Sequence, residues 1–345
     1  SSTLPKSNNS YFYPSASLSF IVSDLLNIKE NPYLSFAKLR LSFAQVGNDT
    51  DPYLLENVWF FGTPFGSNLL ADESSVLANS DLKPEIVTSF EIGTNLRFFD
   101  DRLILDLTYY NNISKNQIIG IPIPRTTGYS NVFINAGQIS SNGFEATLSA
   151  VPVKLDNGFE WNFGLNFSFD RSYVDELTEG IKQYGIMGER VSIVAKVGER
   201  MGTMWGTGFK MYDPDSKQVV KYVDGYPTID QGGQRVRVDE GKLKVIFEKG
   251  LPVYDNDLRI IGNYNPDYIF GIQNSFKYAG FELGVLFDFK VGGKIYSETR
   301  LIAATAGNVI ETLWGRDPEH KGPYPGMKEG GITWQKDGVT RTDGV

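Results

Sequence analysis

Long stretches of this chain alternate, residue by residue, between apolar and polar side chains. In residues 161–169 every odd position is Trp, Phe or Leu, whereas the even positions are Asn, Gly or Ser. Residues 86–98 and 281–289 show the same alternation with few exceptions. Because successive side chains of a β-strand point to opposite faces, the pattern predicts strands with one apolar face and one polar face.

Weaker alternation elsewhere raises the predicted total to about nine strands. The weaker stretches are residues 16–20, 37–43, 103–109, 144–150, 205–211 and 268–278. The four longest runs span 9 to 13 residues, whereas strands of soluble sheets usually have about 5 to 6. A tilted strand needs about 9 to 11 residues to cross a bilayer, so their length favours a transmembrane β-barrel.

The predicted strands are joined by short turns and by long loops. The short turns lie at residues 100–102, 156–158 and 279–280, and the long loops at residues 47–83, 113–142 and 171–204. Aromatic residues flank the short turns, namely Phe98, Phe99, Phe159, Trp161, Phe276, Tyr278 and Phe281. Both features are typical of outer-membrane barrels, which have long external loops, short periplasmic turns and aromatic girdles at the membrane interfaces.

The predicted fold class is therefore all-β, a transmembrane antiparallel barrel with long extracellular loops. The odd-numbered face of residues 161–169 is predicted to contact lipid, and the even-numbered face to line the barrel interior. The alternative is a soluble, secreted β-sandwich that binds carbohydrate, because sandwich strands also alternate and also bury Phe and Trp. The polar face carries Asn, Ser, Gly, Glu and Asp with little Lys or Thr, which favours the barrel.

Composition excludes several classes of protein. The 345 residues include 41 acidic and 33 basic side chains, a net charge of −8, so no broad basic surface is available for nucleic acid. The absence of cysteine removes thiolate nucleophiles, zinc fingers and disulfides. The single histidine, His320, lies in a proline-rich polar stretch that is typical of a surface loop. No common catalytic motif occurs, so we predict no catalytic residue, no metal site and no enzymatic activity.

The chain contains no membrane-spanning helix by sequence, because no run of about 18 to 20 apolar residues is present. Its first residues also lack the basic start and apolar core of a signal peptide. We therefore expect that a leader was removed or that the chain is a segment of a longer polypeptide.

Several motifs resemble those of a known family. Residues 80–119, SDLKPEIVTSFEIGTNLRFFDDRLILDLTYYNNISKNQII, are similar to the barrel of the SusC/RagA family of TonB-dependent outer-membrane transporters. Residues 126–153 resemble the stretch in which that family has Asn-Ala-Gly followed by Gly-x-Glu, here Asn135, Ala136, Gly137, Gly143 and Glu145. Further similar stretches are residues 12–20, 38–49, 197–206, 255–283 and 292–299.

The resemblance implies a plug domain followed by a barrel of about 22 strands. Residues 1–345 are then expected to be a segment of that barrel, without the plug, the TonB-contacting region or the first barrel half. The implied function is TonB-dependent import of an oligosaccharide, with a peptide as the alternative cargo, through the outer membrane of a member of the Bacteroidota. The implied partners are a SusD-like lipoprotein lid, the TonB complex and outer-membrane lipid, with two transporter–lid pairs forming a dimer.

The resemblance also bears on cofactors. Family members carry an acidic Asp-x-Asn-Gly-Asp-Gly type of segment that is similar to a calcium loop. The corresponding stretch here keeps Asp255 and Asp257 but lacks the earlier acids. Calcium is therefore not expected at this place, and no other cofactor is implied.

The long loops carry the candidate binding residues, because aromatic rings stack on the apolar faces of sugars and pack against partner proteins. The candidates for contact with substrate or partner are Trp59, Phe60, Phe61, Tyr129, Trp205, Tyr212, Tyr222 and Tyr226. For residues 58–61 the alternative is a small hydrophobic cluster internal to the loop. Residues 300–314 have partly helical spacing and predict a short helix in an external loop, which packs locally or binds a partner.

Overall fold

The alternating runs form β-strands, and most of them belong to one large antiparallel sheet. The computed structural model describes residues 3–26, 31–178, 180–187, 191–248, 251–309, 334–336 and 339–341.

The strands and helices have the following bounds. The first part of the chain contains β1 (Ser15–Ile21), β2 (Leu34–Asn48), β3 (Trp59–Phe61), β4 (Ala71–Glu73), β5 (Val76–Leu77), β6 (Glu85–Phe98), β7 (Leu103–Lys115), β8 (Ile118–Pro122), β9 (Asn131–Asn135), β10 (Gln138–Lys154) and β11 (Glu160–Glu176). The middle part contains β12 (Gln183–Met187), β13 (Ser192–Lys196), β14 (Thr203–Phe209), β15 (Met211–Asp213), β16 (Gln218–Val219), β17 (Lys221–Val223), β18 (Tyr226–Gln231), β19 (Gln234–Arg237), β20 (Lys244–Val245), β21 (Phe247–Glu248) and β22 (Leu251–Pro252). The last part contains β23 (Tyr254–Asn263), β24 (Pro266–Tyr278), β25 (Phe281–Gly292), β26 (Trp334–Lys336) and β27 (Val339–Arg341). The helices are α1 (Val22–Leu25) and α2 (Glu298–Thr305), with 3-10 turns at Lys6–Asn8, Arg125–Thr127 and Glu240–Lys242.

None of the helices in these described ranges is long and apolar enough to cross a membrane.

The chain divides into two compact units. The first takes its described residues from Ser1–Ile186, Val194–Gly202 and Asn265–Gly293, and the second from Met187–Ile193, Thr203–Tyr264 and Lys294–Val345. In sequence, most of the second unit is therefore inserted between β11 and β24 of the first.

The first unit contains an eight-stranded sheet in the order β1-β2-β6-β7-β10-β11-β24-β25, with every neighbouring pair antiparallel. The register places apolar residues beside apolar residues, and polar residues beside polar residues, on neighbouring strands. Leu148 lies between Leu105 and Leu165, whereas the next residue along β10, Thr147, lies between Asp106 and Asn166. The sheet therefore has one apolar face and one polar face, as the alternation predicts.

The apolar face of the sheet is only partly covered. Among its large side chains, Phe43, Phe90, Ile92, Tyr109 and Phe287 are all more than a third exposed. A soluble sandwich would bury such residues against a second sheet. The sandwich alternative is therefore wrong, and the prediction of a partial transmembrane-type barrel sheet is confirmed at the level of the fold.

Eight of the nine stretches predicted as strands belong to this sheet, and the ninth does not. The stretch predicted at residues 205–211 falls mainly in β14, which pairs with β23 in the second unit. This stretch alternates like the other eight, but alternation identifies a strand and not the strands with which it pairs.

At the ends next to the long loops, several strands extend farther than predicted, so two of the long loops are shorter. β7, β10 and β11 continue pairing through polar residues such as Asn111 with Asn142 and Ser141 with Ser172. Here both faces of the sheet are polar. The hydrophobic alternation therefore fades, although the backbone ladder continues.

The short turns lie where they were predicted. The β24–β25 turn consists of Ala279 and Gly280, both with positive φ of 49° and 84°, which matches the tight hairpin turns that follow the twist of a sheet. Next to it, the Trp161 indole stacks on Phe276 with ring centroids 6.0 Å apart and donates a 3.1 Å hydrogen bond to Asn274 Oδ1. Trp161 and Phe276 thus lie side by side next to a short turn, as expected for aromatic residues that flank it.

The second unit has its own small core, which includes Met204, Trp205, Val220 and Ile229. Gly225 has φ of +84°, and a Cβ added there would lie 2.5 Å from the Trp205 ring. A glycine is required at this position both by the backbone conformation and by the close approach of the indole.

The helix predicted at residues 300–314 begins earlier than expected. α2 starts after Ser297, whose hydroxyl accepts a 3.2 Å hydrogen bond from the Arg300 N–H and caps the helix. Residues 310–314 and His320 lie outside the described residues.

Candidate functional site

The first three candidate residues form one strand of a β-hairpin, which we call hairpin 58–74. In it β3 pairs with β4, so that Trp59 faces Glu73 and Phe60 faces Asp72. The far end is closed by reciprocal hydrogen bonds between Phe65 and Asn68, and the base by a 3.0 Å bond from the Ser74 N–H to the Val58 carbonyl. Sequence alternation did not reveal this hairpin, because each strand has only three residues.

The aromatic side chains of the hairpin are exposed. Trp59 is 65%, Phe60 57% and Phe61 84% exposed. Three further large apolar residues of the hairpin are exposed as well, namely Phe65, Leu69 and Leu70. The alternative of a buried hydrophobic cluster internal to the loop is therefore not what the structure contains.

Tyr129 lies at the base of the same hairpin, although it comes from the next long loop. Its hydroxyl donates a 2.8 Å hydrogen bond to Glu73 Oε1 and accepts a 2.6 Å bond from Asn57 Nδ2. Asn57 Nδ2 also lies 3.2 Å from Glu73 Oε1, which closes the triangle. The Glu73 carboxylate stabilises the protonated phenol and so raises the pKa of Tyr129.

Backbone pairing joins the two loops beneath this triangle. β5 of the first loop pairs in parallel with β9 of the second, and the Ser130 N–H donates a 2.7 Å bond to the Ser75 carbonyl. Asn135 completes the connection, because its side chain accepts from the Lys83 N–H at 2.8 Å and donates to the Lys83 and Asn116 carbonyls at 2.7 and 3.0 Å. The hairpin therefore stands on a hydrogen-bonded base.

Four candidate residues were thus brought together by the fold, and two of their partners were missed. Asn57 and Glu73 link Tyr129 to the hairpin, but both are ordinary polar residues of a long loop. No local sequence signal distinguishes them. Their role depends on a contact between segments more than fifty residues apart in the chain.

The other four candidates lie in the second unit and are more enclosed. Trp205 is only 6% exposed and belongs to the core of this unit, whereas the sequence predicts it to be among the loop residues that contact substrate or partner. Tyr222 lies under the Arg259 guanidinium at 3.9 Å, and burial raises the pKa of its phenol. Tyr226 lies under Arg237 at 3.5 Å. Tyr212 is half-buried in β15.

The polar face of the large sheet carries a network of charged side chains. The Arg40 guanidinium makes a bidentate ion pair with Asp106, at 2.7 and 2.9 Å, and Asn95 donates to the same carboxylate at 2.9 Å. A Cβ added at Gly93 would lie 2.9 Å from Arg40 Nη2, so this glycine makes room for the guanidinium. Charges and amides on this face provide a surface that water and polar solutes can contact.

Of the two acids considered for calcium, Asp255 and Asp257, the first is engaged by an arginine. Asp255 is 8% exposed and its carboxylate binds Arg259 at 2.8 Å. Across the described part of the chain, no group of three or more His, Cys, Asp or Glu side chains is arranged to hold a metal ion. A calcium loop needs several carboxylate and carbonyl oxygens around one point, whereas Asp255 is already neutralised by a guanidinium.

Comparison with known proteins gives consistent matches to one family. Residues 1–235 match the family model described as TonB dependent receptor-like, beta-barrel. The chain is 27% identical over 327 residues to the TonB-dependent receptor P39 of Formosa agariphila, a match that covers 86% of this chain and 31% of that protein. It is 24% identical over 256 residues to the TonB-dependent receptor SusC of Bacteroides thetaiotaomicron, covering 68% of this chain and 25% of that protein.

The fold is also found among solved structures. The RagAB peptide transporter structure has a TM-score of 0.65 at 19% identity, covering 84% of this chain and 30% of that one. The chain thus spans about a third of the length of the curated relatives that it matches.

Proposed function

This chain belongs to the TonB-dependent receptors of the SusC/RagA type through its β-barrel region, and we propose that it forms part of a transporter that imports a large organic nutrient across a bacterial outer membrane. In this proposal the energy comes from the TonB complex. A SusD-like surface lipoprotein acts as the lid, and two transporter–lid pairs assemble as a dimer.

The two-faced sheet is the observation that carries the proposal. Its apolar side chains are partly exposed along eight strands, which suits contact with lipid, and the opposite face carries the Arg40–Asp106 pair and other polar groups. Lipid on one side and water on the other satisfy both faces at once. Neither a soluble sheet nor a helical membrane protein would need this distribution.

We propose an oligosaccharide as the cargo. Sugar rings have apolar faces that aromatic side chains cover, and hydroxyl groups that Asn, Asp and Tyr bind. The polar sheet face and the loop aromatic residues offer both kinds of group. A peptide is the second candidate, because the RagAB structure, which shares this fold, is described as a peptide transporter.

The proposal includes no chemical conversion of the cargo. Several polar groups of the large sheet are engaged in ion pairs and hydrogen bonds that stabilise the sheet, as for Arg40 with Asp106 and Tyr110 with Asp170. We therefore propose that the transporter is not an enzyme, and that it releases its cargo unchanged and without a cofactor bound to this chain.

The test is uptake by cells that carry the full-length protein. Fluorescently labelled oligosaccharides and peptides of similar mass are supplied, and internal label is measured in wild-type cells, in cells lacking this transporter and in cells lacking TonB. We expect uptake of one cargo class that requires both the transporter and TonB. Equal uptake without TonB would refute the transporter class. Uptake of peptides alone would replace the oligosaccharide by the second candidate.

A further inference from the structure

The exposed surface of hairpin 58–74 is unusual because it is apolar on both sides of the ribbon. Trp59 and Phe61 lie on one face of β3, and Phe60 lies on the other, since side chains alternate along a strand. All three are more than half exposed. Exposed apolar patches of this kind mark interaction sites, because leaving such rings in water is unfavourable.

The base of the hairpin is held in place, whereas its apolar faces are not covered. The Asn57–Glu73–Tyr129 triangle and the 2.7 Å bond from the Ser130 N–H to the Ser75 carbonyl anchor the base. A preorganised element loses less conformational entropy when it binds. This combination of a fixed base and an exposed apolar ribbon suits a docking element.

The charged residues around the hairpin indicate what kind of partner it binds. Residues 47–80 contain five carboxylates, Asp49, Asp51, Glu56, Asp72 and Glu73, and no Lys or Arg. The adjoining segment 116–137 adds only one charged side chain, Arg125. Among the described residues none of the five carboxylates forms an ion pair. The loop therefore presents aromatic rings together with carboxylates that are not neutralised by a Lys or Arg side chain of the described residues.

We propose that hairpin 58–74 is a docking element for a partner protein whose contact surface carries Arg and Lys side chains. Guanidinium and ammonium groups pair with carboxylates and also stack on Trp and Phe rings, so one basic surface satisfies both features of the loop. A groove of a folded protein also covers both faces of a projecting ribbon. A sugar chain stacked on an aromatic platform would cover one face only.

The proposal rests on the proposed function in one respect, which is the choice of partner for the test. The probe is a purified SusD-like lipoprotein from the same organism, and its affinity for the full-length transporter is measured by biolayer interferometry in detergent. Trp59→Ala combined with Phe61→Ala is compared with Tyr53→Ala, an exposed aromatic residue of the same loop outside the hairpin. Asp72→Lys is compared with Asp257→Lys, an exposed carboxylate of the second unit.

We expect the aromatic double variant to weaken lipoprotein binding by about 10- to 100-fold, because buried aromatic anchors dominate protein interfaces. Asp72→Lys is expected to weaken it several-fold at low salt. Tyr53→Ala and Asp257→Lys are expected to bind like the wild type. The wild-type affinity should fall as NaCl is raised from about 50 to about 500 mM, since salt screens exposed charges. Heat-modifiable migration of each variant on gels confirms that the barrel is folded.

Photo-crosslinking identifies the surface that the hairpin meets. p-Benzoylphenylalanine replaces Phe65 at the far end of the hairpin, and mass spectrometry locates the crosslink on the lipoprotein. A crosslinked site flanked by Arg and Lys supports the proposal, and a crosslink to an acidic surface, to lipid or to oligosaccharide overturns it.

The outcomes separate this inference from the proposed function. If the hairpin variants bind the lipoprotein normally while uptake still requires TonB, the docking element is wrong and the transporter stands. If they keep the lipoprotein but lose binding of labelled oligosaccharide, the hairpin is a cargo site and the inference is likewise overturned. If the wild-type protein neither binds the lipoprotein nor imports either cargo, both proposals fail.

Discussion

On the polar face, individual side chains pack closely against the backbone of neighbouring strands. Tyr110 lies over Gly143 on the neighbouring strand and donates a 3.2 Å hydrogen bond to Asp170. A Cβ added at Gly143 would lie 2.3 Å from the Tyr110 ring and 2.7 Å from the Phe169 carbonyl oxygen. The glycine of the Gly-x-Glu motif is thus explained by the close approach of a tyrosine and a backbone carbonyl.

Gly143→Ala should therefore destabilise the sheet by about 1 to 3 kcal/mol, because the added methyl group overpacks this contact. Gly164→Ala is the matched control, since a Cβ there meets only Gln273 at an ordinary 3.6 Å. The measurement is urea unfolding of the full-length protein in liposomes. Equal stability of the two variants would contradict the packing described here.

The two faces of β11 should respond differently to a buried charge. Leu165→Arg places a guanidinium among Leu148 and Ile272 on the apolar face, and should cost about 2 to 4 kcal/mol near the membrane midplane. Asn166→Arg, beside Thr147 and Gly271, should cost little. Unfolding in liposomes measures both, and similar free-energy losses at the two positions would reverse or remove the assignment of faces.

Among the elements, the two long loops of the first unit act as one structure. Parallel pairing of β5 with β9 joins them, and the Asn135 side chain connects the strand ends through three hydrogen bonds. Gly137, two residues later, has φ of +113°, and a Cβ there would lie 2.9 Å from the Glu176 carbonyl oxygen. The Asn-Ala-Gly motif therefore shapes the crossing between the loop and the sheet.

Asn135→Ala should loosen the loops, because it removes three hydrogen bonds that contribute about 0.5 to 1.5 kcal/mol each. Asn131→Ala on the same strand is the control, since the Asn131 side chain donates a weak 3.5 Å hydrogen bond to Ser130 Oγ. Limited proteolysis of the folded protein should cleave within residues 49–84 several-fold faster in the first variant only. Identical cleavage rates would place the loop anchor elsewhere.

Loop length predicts which rim of the sheet faces outward. Ser67 lies in the hairpin turn, within the loop that joins β2 to β6, and Asn157 lies in the turn that joins β10 to β11. Both residues are exposed, and the two connections lie at opposite ends of the strands of the large sheet. In a cysteine-free version of the full-length protein, a cysteine at Ser67 should react with an impermeant thiol reagent on intact cells, and one at Asn157 should not. The opposite labelling pattern would invert the topology.

At the scale of the whole molecule, the sheet and the docking hairpin are separable. The ends of the hairpin meet at a 3.0 Å hydrogen bond between Ser74 and Val58, and its apolar side chains bury little surface within the chain. The large sheet instead depends on cross-strand pairs along eight strands. Folding of the barrel should therefore not require the hairpin.

Replacing residues 59–73 by a short Gly-Ser turn between Val58 and Ser74 tests this independence. We expect normal heat-modifiable migration and normal surface expression of the full-length protein, with loss of lipoprotein docking. Loss of the folded band on gels would show that the hairpin contributes to barrel assembly.

The sequence by itself determined the two faces of the sheet, the short turns and the strand positions. These properties are local, because each depends on alternation within one strand or on a few turn residues such as Ala279 and Gly280. The alternation stopped being informative where both faces are polar, as at Asn111 and Asn142, and there the strands proved longer than predicted.

Only the tertiary structure decided which strands are neighbours and which aromatic residues remain exposed. β11 pairs with β24 across residues 177–265, whereas the alternating stretch at residues 205–211 joined a different unit. Trp59 follows Val58 and Trp205 follows Met204, so both have an apolar neighbour in sequence, yet one is 65% and the other 6% exposed. Burial and pairing arise from contacts between segments distant in the chain, and a period of two residues carries no information about such contacts.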